Sequence, residues 1–235
     1  MNFDIQFAIN TFPKILKAVP MTLSISIVSI AIGLVIGLII AICRTNNIPI
    51  LKPICAVFVS FIRGTPIIVQ LYVVFYGFPE LLTYLHQSLG WKVSPSGISH
   101  ISIALIAFTL NAAAYLSENI RSALSSVNKG QLEAAYSIGM TSFEAYRRII
   151  LPQALVAALP NFSNVFIQIT KDTSLAFSVM VVEIMAVSSV EASSGYKYLE
   201  AYLDAAIIYF IVCYIFAKLF TVLENRLKVY KKISV

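Results

Sequence analysis

The run AVPMTLSISIVSIAIGLVIGLIIAIC, residues 18–43, carries no charge over 26 positions. About 20 apolar residues in an α-helix cross the hydrocarbon core of a bilayer, so this run reads as a membrane span. The whole chain agrees with it. Of 235 residues, 59% are hydrophobic and 12% charged, and the mean hydropathy is +0.85. Soluble domains sit near ~45–50% apolar and ~25% charged, and disorder needs low hydrophobicity with high charge. Both classes are excluded, and the solvent of this chain is lipid. The preceding segment, 1–17, opens Met1-Asn2-Phe3-Asp4 without a basic n-region. The 18–43 run is also too long for a leader's apolar region, so a retained span is expected.

Four further runs follow. Residues 53–79 contain only Arg63 as a charge, 93–117 and 149–170 contain none, and 205–223 contain only Lys218, whose stem can snorkel to an interface. The expected architecture is an all-α polytopic membrane protein with five spans, near 18–43, 53–82, 96–122, 149–170 and 203–224. All five belong to one domain (18–225). Residues 173–182 are apolar but too few to span, and read as an interfacial or re-entrant piece. Glu183 is expected late in that short helix, where the dipole disfavours an anion, so it needs a partner or an exposed position, and contact with an extracytoplasmic protein is expected. Lys171-Asp172-Thr173 reads as the end of the fourth span, with Asp172 or Thr173 capping the piece that follows. Cys43, Cys55 and Cys213 lie in apolar runs without metal-ligand or disulfide spacing, and no metal or cofactor is expected. Gly33 and Gly37 form a small-xxx-small pair, able to serve packing within the subunit or between subunits.

Orientation follows from the basic residues. One side holds five: Lys14, Lys17, Lys92, Lys171 and Lys197. The other holds eleven: Arg44, Lys52, Arg63, Arg121, Lys129, Arg147, Arg148, Arg226, Lys228, Lys231 and Lys232. The larger set is expected in the cytoplasm. That places the N-terminus outside, the C-terminal tail (226–235) inside and the polar connection 128–152 inside.

In that connection Asn128, with Gln131 three residues on, reads as a capping-box start for a short helix over 131–138. Gly139 is placed to end it in a left-handed cap. Thr141-Ser142-Phe143-Glu144 is a second capping box, opening a helix over 142–149, and Pro152 falls in the first turns of the next span. Ala134 and Ala135 are read as one small-residue face open to a close partner. Leu132, Tyr136, Ile138, Met140 and Phe143 are candidate apolar anchors for a helix-in-groove contact. A plain hairpin joining two spans is the competing reading of the same residues.

The spacing Glu133-Ala134-Ala135, three residues, Gly139, nine residues, Ile149-Ile150-Leu151-Pro152 resembles the EAA loop of bacterial ABC importer permeases. Phe61-Ile62-Arg63-Gly64-Thr65-Pro66, Val69-Gln70-Leu71, Lys129-Gly130-Gln131 and Lys171-Asp172-Thr173-Ser174-Leu175 resemble the polar amino acid branch. The likeness runs nearly the length of the chain. It implies a type I importer permease fold, with a cytoplasmic coupling helix-turn-helix docked on a separate ABC ATPase subunit. It also implies an extracytoplasmic solute-binding protein and a second permease subunit, identical or a related paralogue, in the bacterial cytoplasmic membrane. Glu133, Ala134, Ala135, Gly139, Leu151 and Pro152 are then the coupling residues. The chain has no G-x-x-x-x-G-K-[ST] loop, so ATP hydrolysis is expected in the partner and no enzyme activity here.

Polar side chains inside spans mark a pathway by default, although many only satisfy neighbouring helices. Asn161, Asn164 and Gln168 share one helical face by spacing, as do Asn111 and Glu118 with Tyr115 between them. With Gln70 they are the candidate substrate path, in which Gln70, Asn161, Asn164 and Gln168 are expected to line a midplane site for a zwitterion. Arg63, Gly64 and Pro66 are a candidate gate or kink; Arg63 is read as snorkelling to the inner interface, or as pairing with Glu118 or supporting the gate. A secondary transporter or a membrane scaffold would also explain the spans. The first usually shows inverted repeats, and none is visible. Among amino acids, the sequence around 145–154 and the Tyr-rich 196–202 stretch resemble cystine-type members; another small polar solute remains an alternative.

Overall fold

The computed structural model describes residues 3–89 and 98–232. Lys92, counted above on the outer side, and residues 233–235 of the basic tail lie outside the described residues. The helices are α1 (Ile5–Leu16), α2 (Val19–Thr45), α3 (Leu51–Gly64), α4 (Ile67–Leu89), α5 (His100–Ser125), α6 (Lys129–Ser137), α7 (Ser142–Ala145), α8 (Leu151–Asp172), α9 (Ile184–Gly195) and α10 (Tyr198–Lys232). Five stretches among the described residues are long and apolar enough to cross a membrane: Ile5–Thr45, Ile67–Leu89, His100–Ser125, Ser142–Val179 and Tyr198–Lys228. The fold class read from sequence, an all-α five-span protein, is the observed one.

The central helix is α5, which packs against α2, α3, α4 and α8. It can do so because its buried faces are small: Ala104, Ala107, Ala112, Ala113 and Ala114 are all essentially inaccessible. Lipid gives helices no hydrophobic reason to associate, so close packing of small residues carries the contact. A Cβ added at Gly33 of α2 would lie 2.7 Å from Ala112 Cβ, and one at Gly37 would lie 2.9 Å from the Ala113 carbonyl oxygen. The small-xxx-small pair therefore packs within the subunit. Outward faces stay apolar and open, as at Val35 (60% exposed) and Val57 (70%), which suits lipid contact.

The second span is shorter than the expected 53–82. Pro66 forces its predecessor into extended backbone, and Thr65 sits at φ −119°, ψ 144°, so α3 stops at Gly64 and α4 starts at Ile67. The fourth span differs the other way. The helix expected over 142–149 does not end before it: α7 passes through a five-residue π-helical turn, Tyr146–Ile150, into α8. Pro152 lacks an N–H and its ring crowds the carbonyl four residues back. The chain answers by widening one turn, where the Leu151 N–H reaches the Tyr146 carbonyl.

Glu183 is a further correction. It is fully buried and stands at the start of α9, not the end of a helix. Its Oε1 accepts from the Ala186 N–H at 2.9 Å and its Oε2 from the Tyr209 hydroxyl at 2.6 Å. It ties α9 to α10 and is unavailable to an external protein. Glu183→Gln keeps the shape but replaces two charge-assisted bonds by neutral ones. The expected loss is roughly 1–2 kcal/mol, read as a lower unfolding temperature in detergent, with Tyr209→Phe showing a smaller drop.

Asp4 caps α1 by accepting from the Phe7 N–H at 3.0 Å. That bond holds its carboxyl below the ordinary carboxylate range, with Lys197 adding to it. Lys197 pairs with Asp4 and Lys14 with Glu191 at this end of the bundle. Arg44 and Arg121 share Glu118 at the far end of α2 and α5.

Candidate functional site

Breaking α3 from α4 frees carbonyl groups inside lipid, where each needs a partner. Gln70 supplies it. Its Nε2 donates to Ile62 O at 2.7 Å, Thr65 O at 3.0 Å and Thr65 Oγ1 at 3.0 Å. Its Oε1 accepts from Asn111 Nδ2 at 3.0 Å. Gln70 is buried and its amide is fully engaged. It is a clasp between the break and α5, which corrects its expected place as a wall of the path.

The polar face of α8 opens instead onto a cavity of about 470 Å³. Its polar lining comes from Thr65, Asn111, Tyr115, Asn164, Gln168 and Asp172. Asn164 and Gln168 are exposed to it. Asp172 is the last residue of α8 and stands, as expected, at the cap position of the short 3₁₀ helix Thr173–Val179, but its side chain makes no capping bond. Its Oδ1 accepts from Gln168 Nε2 at 2.8 Å. The signal for it was present in the sequence, since 172 continues the 161, 164, 168 stripe at i+4.

A second lobe of about 490 Å³ adjoins the first and shares Tyr115, Asn164 and Val165 with it. Arg63, Glu118, Arg121 and Asn161 also line it. The expected Arg63–Glu118 pair does not form. Glu118 Oε1 accepts from Arg44 and Oε2 from Arg121, so both its oxygens are taken. Arg63 lies over the Tyr115 ring, 5.5 Å from its centroid. The structure thus gathers Asn111, Asn164 and Gln168 on one lobe and Glu118 and Asn161 on the other, and leaves Gln70 behind the wall.

The elbow 128–152 forms from its local signals. Asn128 caps α6 by accepting from the Gly130 N–H at 2.9 Å, in place of the expected box with Gln131. Gly139 ends the turn at φ +81°, a backbone conformation that strains other residues. Thr141 and Glu144 form the reciprocal capping box. The two alanines do not share an open face. Ala135 is 1% exposed, turned toward the body of the elbow, and Ala134 points out beside Glu133; adjacent helical positions diverge by about 100°. Among the expected anchors, Ile138 (78%), Phe143 (71%) and Tyr136 (45%) are exposed, and Leu132 and Met140 are half-buried. Leu151 is exposed and lies with Pro152 at the start of α8.

Among the described residues no group of three His, Cys, Asp or Glu side chains is placed to hold a metal ion.

This architecture recurs in known proteins. The chain is 41% identical to the probable amino-acid permease protein YxeN of Bacillus subtilis, over 95% of this chain and 96% of that one. It is also 41% identical to the L-cystine transport system permease protein TcyL of the same organism, over 96% and 92%. A crystal structure of an amino acid ABC transporter with histidines superposes with a TM-score of 0.83 at 31% identity, covering 96% of this chain and all of that one. Residues 10–229 match the family described as binding-protein-dependent transport system inner membrane component. The five-span helical fold, the elbow and a match covering nearly the whole chain lead to one conclusion: this protein belongs to the binding-protein-dependent transport system inner membrane component family.

Proposed function

We propose that the chain is the permease subunit of an ATP-driven importer for a polar amino acid, with an L-cystine-type solute as its cargo. The observation that carries this reading is the α8 cavity. A lobe of about 470 Å³ suits a small solute, since ligand pockets run to about 300–1,000 Å³. Its lining joins neutral amides on Asn111, Asn164 and Gln168 to a single carboxylate, Asp172. That set offers acceptors to an ammonium and donors to a carboxylate. The names of relatives such as TcyL support the amino acid class and the lean to cystine.

In this reading α6 and the turn around Gly139 dock on a cytoplasmic ABC ATPase. Its closure is transmitted through the unbroken α7–α8 helix to the cavity wall. Glu133, Ala134, Ala135, Gly139, Leu151 and Pro152 form or frame that coupling surface. The end bearing Arg44 and Arg121 faces the cytoplasm, and the end bearing Lys14 and Lys197 faces outward, where a solute-binding protein delivers cargo. A second permease, identical or paralogous, completes the path. Gly64 and Pro66 flank the break between α3 and α4 beside it.

The test is uptake of radiolabelled L-cystine by proteoliposomes holding this permease, its ATPase and its binding protein. Uptake is expected to need ATP inside and no ion gradient. Asp172→Asn removes one charge-assisted contact, worth ~1.5–3 kcal/mol, and is expected to slow uptake roughly 10- to 100-fold. Wild-type uptake by Asp172→Asn would remove Asp172 from the path. Uptake driven by an ion gradient without ATP would refute the importer reading.

A further inference from the structure

The lobe beside Arg63 has a charge balance that the path described above does not use. Glu118 has given both oxygens to Arg44 and Arg121, so one carboxylate already serves two guanidinium groups. Arg63 faces the same lobe and, among the described residues, has no hydrogen bond or ion pair; its one partner is the Tyr115 ring. Two cations, Arg63 and Arg121, and one anion, Glu118, line this lobe, and Arg44 already pairs that anion from outside the lining, so the lobe carries an excess of positive charge. The other lobe has the opposite sign. Asp172 is the charged residue lining it, because Lys171 lines a separate cavity with Tyr202 and Tyr209. The two lobes meet at Tyr115 and Asn164.

A guanidinium held flat over an aromatic ring keeps its outward N–H fork free and oriented. That fork fits a carboxylate with two parallel hydrogen bonds. Asn161, exposed in the same lobe, adds an uncharged donor. We propose that the lobe lined by Arg63, Tyr115 and Asn161 is a subsite for the carboxylate group of the transported solute, distinct from the Asp172 lobe that takes its ammonium. Along α8, Asn161 of this lobe and Asp172 of the other are eleven residues apart, about 16 Å at 1.5 Å per residue. The ammonium and carboxylate of one amino acid head cannot reach both lobes at once. A compact amino acid engages them in succession, and a two-headed solute reaches further toward both. The subsite rests on the reading of the cavity as an amino acid path.

The experiment is equilibrium binding to the permease purified with its ATPase in detergent, without binding protein, so that the path itself is the receptor. The probes are L-cystine and L-glutamine, each beside its fully decarboxylated amine: cystamine, which lacks both carboxylates of L-cystine, and 4-aminobutanamide, which lacks the one of L-glutamine. Wild type is expected to bind the amino acid at least about tenfold more tightly than the amine, as one lost charge-assisted contact implies. Arg63→Gln is expected to erase that difference by weakening the amino acid alone. Arg63→Lys should restore part of it. Asn161→Asp leaves Arg63 in place but gives it an internal carboxylate, and should weaken the amino acid to a similar degree. The subsite is overturned if Arg63→Gln preserves the difference, weakens both probes equally, or if wild type binds neither amino acid. Binding of L-glutamine without L-cystine would refute the cystine reading alone, and the Arg63 comparison is then decided on the glutamine pair.

Discussion

Gly37→Leu is expected to leave little folded permease. The added Cβ would meet the Ala113 carbonyl oxygen at 2.9 Å, the Ser117 nitrogen at 3.1 Å and Leu116 Cβ at 3.3 Å. Two of these are backbone atoms of the central helix and cannot swing aside, so α2 must move off α5. Overpacking by a few methylenes costs about 1–3 kcal/mol where side chains can repack, and a leucine against backbone is expected to exceed that range. In a membrane the lost contact is not recovered elsewhere, because close approach of small residues is what joins these helices. Fluorescence-detected size-exclusion of the solubilised protein should show the monodisperse peak reduced by an order of magnitude or more, since each ~1.4 kcal/mol is tenfold. Gly77→Leu is the control: a Cβ there meets nothing within 4 Å, and the peak should persist. A Gly37→Leu protein as stable as wild type would refute the account of the α2–α5 contact.

The second large effect is expected at the elbow. Ile138 and Phe143 are 78% and 71% exposed, although the residues that order the turn around them are capped or buried. Exposed apolar side chains on a structured polar turn fit anchors that seat in a partner's groove. Changing both to aspartate removes two anchors and sets charge against the groove. Central anchors contribute about 2 kcal/mol or more each, so affinity for the ATPase should fall by roughly 100-fold or more. The double variant should stay folded, because neither side chain is packed in the subunit. It should fail to co-purify with the ATPase and lose ATP-dependent uptake. Retained co-purification with normal uptake would place the docking surface elsewhere on the chain.

Much of this is legible in the sequence. The five spans follow from apolar runs with at most one charge each, a property of consecutive residues. The elbow was legible for the same reason: Thr141 and Glu144 cap each other across three residues, and Gly139 takes its positive φ within one turn. The break at Pro66 also follows from local sterics. At Glu118 the local reading fails because one deciding partner is distant. Glu118 found Arg44, 74 residues away, instead of Arg63. Asp172 stands at a cap position at the end of α8, yet its side chain accepts from Gln168 and makes no capping bond. Ala134 and Ala135 were grouped as neighbours in sequence, though a helix turns them to different faces.

The sequence alone determined that this chain lives in lipid, how many times it crosses, and where a polar elbow interrupts the spans. Those outcomes depend on transfer of side chains and on hydrogen bonds within a few residues, and both can be read along the chain. Only the tertiary structure decided what each intramembrane polar group does. Gln70 and Asn164 look equally suited to a path on paper. One is consumed by the carbonyls freed at a helix break, and the other faces open space. In lipid every polar group must find a partner, and which partner it finds is set by how helices rotate and pack against each other.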